Sequence, residues 1–320
     1  MNIIRAVAWD GENLQVVRHQ ARDLQPGEVR IRTILAGICN TDMELIAGYK
    51  GFRGRLGHEF VGEVIEGASE WVGQRVAGEI NIICGDCDMC RRGIGSQCRN
   101  RRALGIDGGD VDGAFADSFC LPAENLHVVP ENAADEAAVF TEPLAASCQI
   151  LEQVNIEAND RVVLIGAGKL GMLCAQVIQT RGADLSVIVK RDKQRDLLEK
   201  WGIRAVGQES VPDGMADYVV DCTGSVEGFN AALQLVRPRG TIILKSTVSG
   251  MTPADLTAVA VREIQIVGSR CGPFDKALHL LQTGQMDVLS MIDGEYPLDD
   301  APAAFEHAAQ RGVLKILLRP

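Results

Sequence analysis

Three observations predict an α/β protein of two domains, one β-rich and one built on a doubly wound parallel sheet. Residues 1–133 break into short apolar runs separated by Gly and Pro, with little helical spacing. Residues 134–285 alternate strand-like and helix-like runs. Residues 286–320 carry Pro297 and one last strand run at 314–318, read as a return to the first domain. A chain of 320 residues is long enough for two cores of ordinary size.

In the first domain the strand-like runs are 29–35, 60–65, 75–77 and 114–121, with helical spacing at 42–47. The second domain opens with helical spacing over 136–154, after Pro130 and the acidic pair Asp135 and Glu136. Strand 161–165 leads to a helix over 169–181 that Gly182 ends, then strand 185–189 and a helix over 192–201. Strands 218–221 and 241–245 flank an apolar helix over 226–236, and a further strand is expected at 264–268. Strands joined through helices imply a parallel sheet covered on both faces.

Composition narrows the partners. Hydrophobic residues make up 46% and aromatics 4%, so aliphatic side chains fill the cores of a globular chain. The formal net charge of -11 argues against nucleic acid and anionic membranes as partners. No run approaches the roughly 20 apolar residues of a membrane span. Residues 1–10 carry no recognisable targeting signal, so the expected location is cytoplasmic.

Of the ten cysteines, Cys39, Cys120, Cys148, Cys174, Cys222 and Cys271 are scattered, while Cys84, Cys87, Cys90 and Cys98 are crowded together. Short spacings let four thiolates converge on one tetrahedral ion, and this donor set suits a closed structural Zn²⁺ site. Gly85, Asp86, Arg91, Arg92 and Gly93 give the lobe over 84–98 no core of its own, so ligation would supply its order. The alternatives are a pair of disulfides, disfavoured in a reducing compartment, and a catalytic redox pair, for which Cys84 and Cys87 do not sit at the strand-to-helix junction of a βαβ unit.

Gly166-Ala167-Gly168-Lys169-Leu170-Gly171 follows an expected strand and opens an expected helix. There the glycines permit a tight turn and close approach of a pyrophosphate to the free N–H groups of a helix N-terminus. An acidic residue at the end of the next strand would bind the ribose hydroxyls of NAD, but Lys190 and Arg191 stand there. Two cations favour the 2′-phosphate of NADP(H) over NAD(H), unless Asp192 reaches back to the ribose. Thr223 is counted with these cofactor-binding positions.

Cys39 in Gly37-Ile38-Cys39-Asn40-Thr41-Asp42, His58 and Glu59 in Gly57-His58-Glu59, and Glu142 in Glu142-Pro143-Leu144-Ala145 each have an ordinary structural reading when taken singly. Together, in this order and with the four-cysteine lobe and the glycine turn, they resemble the zinc-containing medium-chain dehydrogenase/reductase superfamily over nearly the whole chain. The resemblance implies a GroES-like β-rich catalytic domain (1–133 and 286–320) and a Rossmann domain (134–285). It implies two zinc ions per chain. Cys39 and His58 would ligate the catalytic one, with Glu59 or Glu142 as third ligand or just behind it. Thr41 matches the hydroxyl residue of the family's proton relay. Glu44 stands where relatives often carry a histidine, so it is either a proton shuttle or a plain helix residue, and it tilts the substrate toward polyols or sugars. Asn40 departs from the commoner glycine. Glu59 is carried as a catalytic position as well as a ligand.

The activity so implied is hydride transfer between an alcohol or carbonyl substrate and NADP(H), in a homodimer or homotetramer paired through the Rossmann sheets. The competing reading is a catalytically silent zinc- and dinucleotide-binding protein, such as a redox sensor. A zinc-free quinone or enoyl reductase fits poorly, because such relatives lack the ligand residues present here.

Overall fold

The computed structural model describes residues 3–109, 111–247 and 251–320; Met1 and Asn2, where the segment read for targeting signals begins, lie outside them. The chain divides into two compact units. One comprises Met1–Glu142, Ala277–Thr283 and Met291–Pro320, and the other Pro143–Lys276 and Gly284–Ser290.

The first unit contains β1 (Ile3–Trp9), β2 (Leu14–Gln20), β3 (Glu28–Gly37), β4 (Gly54–Arg55), β5 (Glu59–Glu66), β6 (Arg75–Gly78), β7 (Asn81–Ile82), β8 (Arg102–Ala103), β9 (Ser118–Pro122) and β10 (Leu126–Val128). The second unit supplies β11 (Arg161–Ile165), β12 (Asp184–Ile188), β13 (Arg204–Val206), β14 (Ala216–Asp221), β15 (Val236–Leu244) and β16 (Gln265–Gly268). The chain then returns to the first unit with β17 (Ile292–Pro297) and β18 (Lys315–Arg319).

In the first unit a small sheet runs β2-β1-β4, the main sheet runs β10-β6-β5-β3-β18-β17 with β9 also on β3, and β7 pairs β8. Strand β3 is its spine. Val29, Ile31, Thr33 and Leu35 are buried at a spacing of two, as a half-buried strand requires, while Arg32 faces out. The end of β3 joins three segments. Gly37 lies opposite both Glu59 of β5 and Leu317 of β18 in antiparallel register. Stretches far apart in sequence therefore meet at the carboxyl end of β3, and the chain then turns into the Asn40–Ile46 helix.

In the second unit the sheet order is β13-β12-β11-β14-β15-β16, every neighbouring pair parallel. Apolar β-branched runs such as Val162–Val163 and Val219–Val220 are buried in it, as a sheet covered on both faces demands. Between β11 and the Lys169–Gln179 helix the chain makes its tight turn. Gly166 sits at φ 98°, a region open to glycine, and a Cβ on Gly171 would lie 1.9 Å from the Gly166 carbonyl oxygen. A Cβ on Gly168 would meet nothing within 4 Å.

The helical run expected over 136–154 is two helices, Asp135–Ala138 and Thr141–Gln153. Pro143 explains the break: it has no N–H for the carbonyl of residue 139, so it must occupy the first turn of a new helix. Among the described residues no helix is long and apolar enough to cross a membrane.

The contacts at the turn separate two glycines that look alike in sequence. Gly171→Ala is expected to cost about 1–3 kcal/mol through overpacking against backbone that cannot move. Gly168→Ala should stay within about 0.5 kcal/mol of the parent. Thermal and urea unfolding of the two variants side by side checks the contrast.

Candidate active site and metal centres

Among the described residues two groups of potential metal ligands converge, each with its donor atoms within 4.8 Å of one another: Cys84, Cys87, Cys90 and Cys98, and Cys39, His58 and Glu59.

The cysteine lobe is built on β7, β8 and the short Asp88–Arg91 helix that Cys87 begins. Sulfur separations are 3.5 Å for Cys87–Cys90, 3.9 Å for Cys87–Cys98 and 3.5 Å for Cys84–Cys98. Four bonds of about 2.3 Å to a tetrahedral ion place sulfurs about 3.8 Å apart, whereas a disulfide needs about 2.05 Å. All four cysteines are free, and the donor set and spacing fit Zn²⁺. Backbone N–H groups of Cys84 and Arg99 donate to the Cys98 and Cys87 sulfurs at 3.3 and 3.5 Å, which stabilises thiolate charge. Donors from Arg99 and Cys90 lower the Cys87 thiol to about 6. An Arg99–Asp88 ion pair at 2.8 Å ties the ends of the lobe together.

The second group lies where β3, β5 and β18 meet. Cys39 caps the Asn40–Ile46 helix, and its N–H donates to the Asp42 carboxylate at 2.8 Å. The other Asp42 oxygen stands 3.3 Å from His58 Nδ1, and both side chains are almost wholly buried. Burial opposes an imidazolium there, but Asp42 and Cys39 outweigh it and hold the His58 pKa well above its ordinary value. With Nδ1 turned to a carboxylate, the remaining ring nitrogen is the one available to a metal. Thr41 sits in the first turn of the same helix, its hydroxyl 3.8 Å from the Cys39 sulfur.

Glu59 is paired with Lys315, and both are at most 3% exposed. Burial works against the Lys315 ammonium, yet Glu59, Cys39 and Glu142 together raise its pKa. Its charge also lies 5.2 Å from the centre of the Phe140 ring. Gly37 makes room for this pair, since a Cβ there would come within 2.6 Å of Glu59 Oε2. Glu142 influences Lys315 but does not join Cys39, His58 and Glu59 in the convergent group. A thiolate, an imidazole and a carboxylate, gathered with burial, are the donor chemistry of a catalytic zinc site.

Asp42 and Lys315 did not emerge from sequence reasoning. Lys315 had a signal available, a lone cation inside the apolar run Leu314-Lys315-Ile316-Leu317-Leu318. Asp42 closes the Gly37–Asp42 run that carries the resemblance, but an acid three residues after a helix cap ordinarily reads as serving the helix start alone. Glu44 is half-buried, and its Oε1 accepts a hydrogen bond from the Asn40 amide at 3.0 Å.

In the second unit a cavity of about 340 Å³ lies at the carboxyl ends of β11, β12 and β14. Gly166, Gly168, Lys190, Arg191 and Thr223 line it. Lys169, Leu170 and Gly171 do not; they form the first turn of the adjoining helix, which Gly168 begins with no side-chain cap. Its first N–H groups are thereby left for an anion. Asp192 does not line the cavity, while Glu227 does. The Thr223 hydroxyl is committed to Asp221, 2.7 Å away.

Comparison with known proteins agrees with both units. Residues 25–131 match the alcohol dehydrogenase GroES-like domain, and residues 170–283 match the zinc-binding dehydrogenase domain. An L-threonine 3-dehydrogenase of Streptomyces avermitilis is 30% identical over 92% of this chain and 93% of its own. A 2-dehydro-3-deoxy-L-galactonate 5-dehydrogenase of Pseudoalteromonas atlantica is 29% identical over 92% of each. Among solved structures, a protein described as a zinc-binding dehydrogenase of Sinorhizobium meliloti, bound to NADP, superposes with a TM-score of 0.91 at 27% identity over the whole of both chains. The chain therefore belongs to the zinc-dependent medium-chain dehydrogenase/reductase superfamily, with a GroES-like and a Rossmann-like domain, and is an oxidoreductase of the alcohol dehydrogenase type.

Proposed function

We propose that this dehydrogenase carries two zinc ions and moves a hydride between a secondary alcohol carbon of a small, polyol- or sugar-like substrate and NADP(H). The observation that carries the reading is the convergence of Cys39, His58 and Glu59 within 4.8 Å. The two curated relatives are named for oxidation at carbons 3 and 5 of their substrates, interior positions that bear secondary alcohols. Glu59 is the third ligand in this reading, and Glu142 stands behind it near Lys315.

A zinc ion held by Cys39, His58 and Glu59 would supply Lewis acidity that lowers the pKa of an alcohol hydroxyl, and a nicotinamide dinucleotide held at the Gly166–Gly171 turn would supply the hydride acceptor. The protein's own groups do the rest. Asp42 orients His58, and Lys315 restrains Glu59, so the ligand donors stay in place with no reorganisation. The Thr41 hydroxyl oxygen, near the Cys39 sulfur, accepts the substrate proton as its own proton passes to the carboxylate of Glu44, three residues on and a neighbour on the helix surface, from which the proton leaves to solvent.

Removing a ligand separates the two metals. Cys39→Ser should bind one zinc per chain in place of two and lose about a thousandfold in turnover, the scale of several kcal/mol of Lewis-acid stabilisation. It should still bind NADP⁺. Cys98→Ser should lose the other zinc and unfold at a lower temperature. Metal analysis, nucleotide titration and melting curves distinguish these outcomes, and full activity in zinc-depleted Cys39→Ser would end the proposal.

Lys190 and Arg191 support NADP(H) as the cofactor, since two cations line the cavity where a ribose-binding acid would stand. Replacing both by Ala should raise the KM for NADP⁺ by roughly 10–100-fold, the worth of one or two charge-assisted hydrogen bonds, and leave that for NAD⁺ nearly unchanged. A panel of L-threonine, D-sorbitol, 2,3-butanediol and aldoses with either cofactor provides the assay.

A homodimer is the assembly we propose, joined through β16. This strand closes one side of the parallel sheet, Ile266 on it is 40% exposed, and Leu256 and Val261 nearby are 69% and 77% exposed. An apolar edge strand is a template for pairing with another chain. Light scattering should find a dimer for the parent and a monomer for Ile266→Lys.

A further inference from the structure

We propose that Asn40 is a positioning residue that holds Glu44 as a proton acceptor, gripping one carboxylate oxygen and leaving the other for the relay. The inference rests on the role given to Glu44 above.

The helix geometry sets it up. Cys39 is the cap of the Asn40–Ile46 helix, so Asn40 is its first residue and Glu44 lies four further on. Side chains at i and i+4 share a helix face, and so do those at i and i+3. Glu44 is thus flanked by Asn40 and by Thr41. The Asn40 amide donates to Oε1 of Glu44 at 3.0 Å. That interaction fixes the carboxylate's rotation and directs Oε2 away from Asn40.

The chemistry of the partner matters as much as its position. Other half-buried or buried carboxylates of this unit are matched with cations: Glu59 with Lys315, Glu28 with Arg22, Asp112 with Arg55. Among the described residues no Lys, Arg or His pairs with Glu44, and its hydrogen-bond donor is a neutral amide. An ion pair would hold the carboxylate strongly anionic and make it a poor base, whereas a neutral donor orients it and leaves its basicity largely intact. Two influences act on its titration. Partial burial raises the pKa, and the Asn40 amide lowers it, with burial the larger. The neighbouring charges on the helix and the turn after it are engaged elsewhere, Asp42 with Cys39 and His58, and Lys50 with Asp107.

The test reads the carboxylate directly. Zinc-loaded protein with ¹³C-labelled glutamate carboxyls is titrated by NMR, the Glu44 resonance being the one that Glu44→Gln removes. Asn40→Ala should move its pKa upward from the parent, and Asn40→Asp, which puts a second carboxylate there, should move it furthest. Oxidation of 2,3-butanediol, D-sorbitol or L-threonine with NADP⁺, whichever turns over, is followed over the same pH range. A proton acceptor must be ionised, so activity is lost as pH falls through its pKa. In Asn40→Ala that loss should begin at higher pH, and kcat should fall several-fold with KM nearly constant. Identical titrations of Glu44 in parent and Asn40→Ala overturn the inference whatever the rates do. An acid limb that persists in Glu44→Gln overturns the relay role of Glu44 and the function of the grip with it, even where the NMR shift is seen.

Discussion

Crowding a thiol, an imidazole and two carboxylates into a nearly dry volume is electrostatically costly, and the arrangement of the first unit answers that cost. Cys39, His58 and Glu59 converge with Asp42 close behind His58. Without compensation, desolvation would drive such groups to their neutral forms. Lys315 supplies one buried positive charge, and a divalent ion held by the three donors would supply two more. Removing the Lys315 ammonium would strand the Glu59 carboxylate without a partner, which is far worse than never burying the pair.

The same constraint explains why the main sheet of this unit is assembled from distant parts of the chain. Strand β18 comes from the last few residues, yet it lies beside β3, so its Lys315 side chain reaches the residue that opens β5. The antiparallel register brings Gly37, Glu59 and Leu317 to one level, and Lys315 lies two residues from that level. A slip of one residue would turn Lys315 to the opposite face of the sheet and leave Glu59 unpaired. Glycine at 37 keeps the space that the ion pair fills.

The second unit has a different constraint, a turn that leaves its backbone open to the close approach of an anion. Gly166 supplies the left-handed turn, Gly171 lets the helix pack against that turn, and Gly168 lines the cavity. Gly228 has a comparable role one strand over, since a Cβ there would collide with the Thr223 hydroxyl. Gly166 and Gly171 thus answer distinct steric demands, whereas the space around Gly168 is open.

What was legible in the amino-acid order was everything carried by short-range spacing. The cysteine lobe, the glycine turn between β11 and its helix, and the alternation of strand and helix across the second unit all depend on residues within one or two turns of each other, where local geometry follows from the chain itself. Cys39, His58, Glu59 and Glu142 could be grouped only through resemblance, because nothing in their spacing joins them. The helix break before Thr141 was written in Pro143 yet masked by apolar periodicity that continues through it. Tertiary structure alone decided that Glu59 rather than Glu142 shares the volume of Cys39 and His58, that Asp42 faces the imidazole, and that Lys315 lies against Glu59. Strand register and side-chain direction make those choices, and both are settled by packing across a sheet between segments separated by as many as 256 residues, a distance over which local propensity carries no information.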